Sequence, residues 1–406
     1  METGNSYRAL FSIAGTTRLY LGYLLARMPV GVIGLSLLLL GQETGGTARS
    51  GLLVGAFSAA LMVATPLLGR ALDLFPAGRV LVLTAAAHCG ALGLLASCWS
   101  ASAPSPALPL AGAVLAGASL PPAGPALRVA LPSFVPDALL TTGFTGEAVI
   151  LETVYVIGPL LVGGLGTVAG WLPLAAAGAA TAAGVLVMLA SGRLAPAGCS
   201  PKGRALWTLG PLAHGGVRRL LLGALLFLPA LAVVEVAVAA VAGERDRPEL
   251  LGVIMAVAAA ASLAGGLLFG MRRWPGSLPS QVGMLAGWFA AAATLGALAP
   301  GPWPVGAAVL LGSLVVAPAL ALLSRIGGVV APQGRVAETY TWLSTMNNCG
   351  QAATLPLAGL LAERTGPSGA FLLAAALAGT AGVVIVNSRH HLAPAAASRP
   401  METVNT

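Results

Sequence analysis

The sequence predicts an all-α integral membrane protein of twelve transmembrane helices arranged as two halves of six. Three observations carry that prediction. Of 406 residues, 57% are hydrophobic and 8% charged, against about 25% charged in ordinary soluble domains. Apolar runs of about 20 residues, enough to cross a ~30 Å hydrocarbon core, recur along the chain. A polar, basic stretch, SGRLAPAGCSPKGRALWTLGPLAHGGVRR at 191–219, separates them six and six.

In order, the runs fall at 19–40, 49–69, 80–99, 108–130, 142–166 and 171–190, then at 219–242, 250–271, 281–299, 303–325, 338–361 and 368–387. The expected division is a first half over 1–190, a linker over 191–218, a second half over 219–390 and a flexible tail over 391–406. The first 18 residues lack a short apolar core with a small-residue cleavage site, so the N-terminus is expected to be a retained tail.

The net charge is +8, but the basic residues are scattered singly between apolar runs. A nucleic-acid binder needs them on one face, so no nucleic-acid partner is expected and the excess reads as topological. With the N-terminus inside, sixteen Lys and Arg fall on the cytoplasmic side, Arg128 among them. Only Arg49, Arg245, Arg247 and Arg364 fall outside, and Arg27 alone lies within a span. The positive-inside rule then places both termini and the linker in the cytoplasm, in an inner or plasma membrane. Cys89, Cys98, Cys199 and Cys349 form no CxxC or Cys/His cluster, so buried free thiols are expected, with no disulfide, metal or cofactor.

Proline placement suggests a repeat of three helices. Spans one, four, seven and ten carry Pro29, Pro121 with Pro122 and Pro125, Pro229, and Pro318, while spans three, six, nine and twelve have none in their interiors. Proline frees a backbone carbonyl, tolerated where a polar cavity or neighbouring helix satisfies it, so every third helix is expected to line a cavity. A fainter echo lays PLLVGGL (159–165) on TLPLAGL (354–360), placing Asn347 level with Glu152; a rival register pairs Glu152 with Glu338.

This architecture resembles the major facilitator superfamily of secondary transporters, over almost the whole chain. Two motifs support the resemblance. GRALDLFPAGR (69–79) is similar to the family's G-x-x-x-D-R-x-G-R loop at Gly69, Asp73, Gly78 and Arg79, with Leu74 in place of a base and two extra residues before Gly78. GPLLVGG (158–164) resembles the G-P-x-x-G-G signature of drug/proton antiporters at Gly158, Pro159 and Gly163, with Val162 replacing the first paired glycine. The resemblance implies that Asp73 and Arg79 tie cytoplasmic helix ends together in one state, and that the chain works as an efflux antiporter.

The charges inside the spans are the candidate substrate and proton pathway. A guanidinium at mid-membrane costs about 2.5–3.5 kcal/mol on insertion scales and should face inward and be paired. Glu152 lies at the depth of Arg27 and is its expected partner. Tyr23 and Gly31, four residues either side of Arg27, share its helix face and are expected to border the same pocket. Glu235, with no basic residue in its own span, reads as a lone carboxyl suited to bind and release the coupled proton, or alternatively as a protonated, hydrogen-bonded packing group. Glu147 and Glu338 lie near the cytoplasmic surface and are expected in solvated or gate-forming salt bridges. Asn347 is preferred over Asn348 for the cavity. His88 reads as a packing residue; Trp342, Phe57 and Met62 as pocket lining or packing; Ser36, Ser119 and Ser313 are ambiguous.

The functional expectation is a proton-coupled efflux antiporter of a small, partly apolar compound, working by alternating access as a monomer in the bilayer. The alternatives are an importer or uniporter of a small solute, or a transport-dead sensor or assembly protein. No H-E-x-x-H, G-x-S-x-G or nucleotide-binding loop is present, so no enzyme or ATP-driven pump is expected.

Overall fold

A computed structural model of the chain describes residues 5–45, 47–100, 107–194, 210–245, 247, 249–272 and 274–392. Cys199, most of the linker and most of the tail lie outside the described residues. The first six spans are built from α2 (Thr16–Gly45), α3 (Thr47–Leu74), α4 (Ala77–Ser100), α5 (Ala107–Ser119) with α6 (Ala123–Phe134), α7 (Asp137–Gly166) and α8 (Leu172–Ala190), preceded by a short α1 (Asn5–Ser12). The second six are α9 (Gly215–Glu244), α10 (Glu249–Gly270), α11 (Leu278–Leu298), α12 (Pro302–Ser313) with α13 (Val316–Val330), α14 (Val336–Thr365) and α15 (Pro367–Asn387), followed by α16 (Arg389–Leu392). Eleven spans among the described residues are long and apolar enough to cross a membrane. The twelfth, α14, is 30 residues long and more polar, with Glu338, Asn347, Asn348 and Gln351 inside it.

Of the four spans with mid-span proline, two are broken and two are continuous. Spans four and ten are each two helices, and Pro125 and Pro318 occupy the third position of α6 and α13. The N–H of a third residue has no intrahelical acceptor, so proline costs little there. Pro29 and Pro229 instead sit inside unbroken 30-residue helices. The repeat is clearest in helix bounds: α2 and α9 start at Thr16 and Gly215, α7 and α14 at Asp137 and Val336, both 199 residues apart. That offset puts Gln351 level with Glu152, in neither of the two registers expected from sequence.

Helices within each half are held by glycine-mediated contact. The Gly31 backbone of α2 lies against Val154 and Gly158 of α7, so a side chain at either glycine would collide with backbone. Gly22 and Gly184 do the same for α2 and α8. Without a hydrophobic drive between helices in lipid, such close approach supplies the packing energy. Gly158 of the helix-five signature thus has a structural explanation, whereas at Gly163 a side chain would meet open space.

Between the halves, packing runs α3 on α14, α7 on α10, and α6 and α13 on the opposite half; α5 and α12 pack within their own half. The end of the bundle that carries α1 and the short 3-10 turn Gly210–Ala213 is therefore the sealed one. It is called the linker end below, and the opposite end the far end.

Candidate functional site

Working up from the linker end, the first layer is a set of side chains on helix ends. Asp73, at the end of α3, accepts the backbone N–H groups of Ala337 at 3.0 Å and Glu338 at 2.9 Å. These are the second and third residues of α14, whose N–H groups have no intrahelical acceptor, so Asp73 caps a helix of the other half and its charge meets the positive end of the helix dipole. Gly69, one turn back, is where α3 rests on Thr341, and a side chain there would collide with it. Arg70 pairs with Glu338 at 3.7 Å and Arg335 with the same carboxylate at 3.4 Å. On the other side of the bundle the Thr142 hydroxyl donates to the Gly270 carbonyl, the last of α10, at 2.6 Å. Arg325 bonds Asp137 at 3.1 Å and also donates to the Thr141 hydroxyl.

This layer corrects one expectation. Asp73 is engaged with α14 and not with Arg79, which is exposed and forms no ion pair among the described residues. Gly78 instead lies under Leu189. Glu338 is in a salt bridge, shared by Arg70 and Arg335.

One layer deeper is a buried ion pair that the sequence reading missed. Arg128 on α6 donates its Nε–H to Glu147 on α7, with oxygens at 2.9 and 2.8 Å, and the Tyr23 hydroxyl of α2 donates to the same carboxylate at 3.2 Å. The Arg128 guanidinium also stacks over the Tyr340 ring of α14, 5.6 Å from its centroid, so one cation joins three helices of the first half to the second. Glu147 is therefore buried and not solvated, Arg128 belongs inside a span and not among cytoplasmic charges, and Tyr23, 1% exposed, does not border an open pocket.

Arg27 and Glu152 lie four and five residues further along α2 and α7, roughly 6–8 Å nearer mid-membrane. They are not partners. Arg27 has no hydrogen bond or ion pair among the described residues, and its Nε is buried. Glu152 instead accepts from Ser262 on α10 at 3.2 Å. Glu235 is not isolated either: it is exposed on α9 and lies within electrostatic range of Glu152. Tyr155, one turn beyond Glu152 and 54% exposed, lies within range of Arg27, Glu152 and Glu235 together. The mid-depth cluster is thus two carboxyls from opposite halves, a phenol, a serine hydroxyl and an unpaired guanidinium.

Elsewhere, Asn347 spends its carbonyl on Gln351 of its own helix at 3.1 Å. His88, fully buried, bonds the Ala116 carbonyl through Nδ1 at 3.0 Å, consistent with packing. The Met62 and Cys349 sulfurs meet at 3.8 Å across α3 and α14. Among the described residues no group of three metal-ligating side chains occurs, and Cys98 is buried while Cys89 and Cys349 are half-buried.

No family profile and no curated protein matches the chain. Solved structures do match. The human organic anion transporter MFSD10 (TETRAN) superposes with a TM-score of 0.71 at 17% identity, covering 91% of this chain and 98% of its own. A bacterial homologue of the iron transporter ferroportin, in an outward-facing state, gives 0.72 at 19% identity over the same shares. The E. coli fucose:proton symporter FucP, a major facilitator superfamily transporter, gives 0.70 at 13% identity over 91% of this chain and 96% of its own. The fold is that of the major facilitator superfamily. Within that fold the sequence identified the spans and the depth of the mid-membrane charges. It missed Arg128, Tyr155, Ser262 and Tyr340. Arg128 alone left a signal, a charge inside the apolar run 108–130; the other three are ordinary polar residues in their helices.

Proposed function

We propose that the chain is a proton-coupled secondary transporter, an efflux antiporter of a small, partly apolar compound, with the linker end and both termini cytoplasmic in an inner or plasma membrane. The observation that carries the reading is the cluster of Glu152, Tyr155 and Glu235, contributed by both halves at mid-depth. Among the described residues, the hydrogen bonds and ion pairs that join the halves lie between the linker end and the level of Glu152. The cluster is therefore reached from the far end, the arrangement of an outward-open transporter. Rocking the halves would break the contacts of Asp73, Thr142 and Arg128 and present the same groups to the cytoplasm. Two carboxyls within electrostatic range of one another disfavour both being charged at once, so a proton or a substrate group would satisfy them in turn, which is antiport.

Arg27 favours a second reading. An unpaired guanidinium beside the cluster offers a counter-charge to an anionic solute, and an anion travelling together with protons is symport, hence uptake. One assay separates the two. A compound first identified by a toxicity screen of overexpressing cells is supplied to proteoliposomes with a pH gradient imposed in each direction. Antiport accumulates the compound in acid-loaded vesicles; symport accumulates it when the acid is outside. Flux indifferent to the gradient would remove proton coupling altogether.

A further inference from the structure

The short helix that precedes the first span is fastened to one half and reaches into the other. α1 packs on α2 and α7 of the first half. Leu10 is fully buried there, and the Phe11 ring meets the Tyr20 ring edge-on with 5.5 Å between centroids. The turn after α1 is pinned from the start of the linker. The Arg193 Nε–H donates to the Ala14 carbonyl at 2.7 Å. Gly15, at φ 86°, lies so close to the Ser191 carbonyl that any side chain would collide with it. These contacts all stay within the first half, so they survive when the halves move apart.

Tyr7 does not stay within it. Its hydroxyl donates to the Gly266 carbonyl of α10, in the second half, at 3.4 Å. It also covers Gly270, where a side chain would collide with the phenol oxygen. Gly266 and Gly270 are four residues apart and share one helix face, forming a notch filled by Thr145 and Val149 of α7 and by Tyr7. Burial pushes the Tyr7 phenol up to about 12, so it remains a donor throughout the physiological range. Thr142 grips the same end of α10 from within the span; Tyr7 adds a second grip from outside it.

A segment anchored in one half with its tip lodged in the other cannot follow both as they separate. We propose that α1 is a strap: it holds the linker end closed by lodging Tyr7 in the glycine notch of α10, and it lets go each time that end opens. The inference rests on the alternating-access reading above and is independent of substrate and of the direction of transport. A hydrogen bond of ordinary strength shifts a two-state equilibrium about threefold to tenfold. The strap therefore biases the resting protein towards the state open at the far end.

The test uses purified full-length protein in detergent, cysteine-free apart from one reporter. Thr341→Cys, fully buried where α14 meets Gly69 of α3, reports opening on the side of the bundle away from α7 and α10. Thr145→Cys, also fully buried, reports the notch itself. A water-soluble maleimide is added and the labelling rate is followed by mass. Tyr7→Ala is expected to speed labelling of both reporters at least threefold. Tyr7→Phe, which keeps the ring and loses the bond, should give a smaller rise at both, and it becomes the deciding variant should Tyr7→Ala fail to fold. Arg8→Ala, at an exposed neighbour on α1, should leave both rates unchanged. An unchanged Thr341→Cys rate in the deciding variant, a rise at Thr145→Cys alone, Tyr7 then merely covering the notch, or an equal rise in Arg8→Ala overturns the proposal. No substrate or proton gradient enters the assay, so its failure is distinct from a failure of the flux measurements that test the transport reading.

Discussion

Glu147→Ala isolates the energetic role of the buried layer beneath the central cluster. Glu147 and Arg128 have side chains only 3% and 18% exposed, and the carboxylate receives the arginine Nε–H on both oxygens and the Tyr23 hydroxyl on one. Deleting the carboxylate strands a guanidinium, which breaking a buried pair prices at about 3–5 kcal/mol, and leaves the tyrosine O–H without its acceptor, about 1 kcal/mol more. The reverse change, Arg128→Ala, should cost less. An unpaired carboxyl can take up a proton, whereas a guanidinium cannot release one. The double variant should therefore be more stable than the sum of single losses predicts, by about 2 kcal/mol or more. Thermal unfolding in detergent reads this directly: a fall in Tm of roughly 5 °C or more for Glu147→Ala, a smaller fall for Arg128→Ala, and partial recovery in the double variant. A Tm within about 1 °C of the parent for Glu147→Ala, or strict additivity in the cycle, would refute the reasoning.

Three further outcomes are expected. Glu235→Gln keeps the shape of a protonated carboxyl, so it should bind substrate and lose pH-driven flux in proteoliposomes; undiminished coupled flux would remove Glu235 from the mechanism. Gly158→Val should collapse expression or lower Tm sharply, because its side chain meets the Gly31 backbone and overpacking costs about 1–3 kcal/mol or more; Gly163→Ala, facing open space, should be neutral. On a cysteine-free background an impermeant thiol reagent applied outside should label Gly243→Cys and not Arg389→Cys, two exposed positions at the far and linker ends, and the opposite pattern would invert the topology.

What the sequence could and could not disclose follows from helix geometry. Depth along a span is nearly linear in residue number, about 1.5 Å each, so apolar run lengths located the spans and put Arg27 and Glu152 at one level. Azimuth is another matter. Which neighbour a side chain faces depends on crossings such as Gly31 on Gly158 and Gly350 on Pro229, and those are tertiary. Equal depth therefore suggested an Arg27–Glu152 pair, while the crossings turn Glu152 towards Ser262 and leave Glu147 for Arg128. The break in span four was legible because Pro121 and Pro122 are adjacent; the break at Leu314 and Val315 in span ten precedes its proline and carries no residue signal. Asp73 stood out through its motif, yet its acceptor role could not be read, because its partners are main-chain amides that any sequence would offer.

That last point bears on how the protein can change over generations. The Asp73 contact grips peptide groups and is blind to the side chains that follow them. Of positions 337 and 338 the contact itself asks only for an N–H, which proline alone would remove; Ala337 is held instead by its full burial and Glu338 by its pairing with Arg70 and Arg335. Position 73 has no such latitude: Asn surrenders the charge, Glu overreaches by a methylene, and Ala abandons the helix end. The two sides of this one contact are thus constrained in different ways: α3 must supply one particular side chain, and α14 only its main chain.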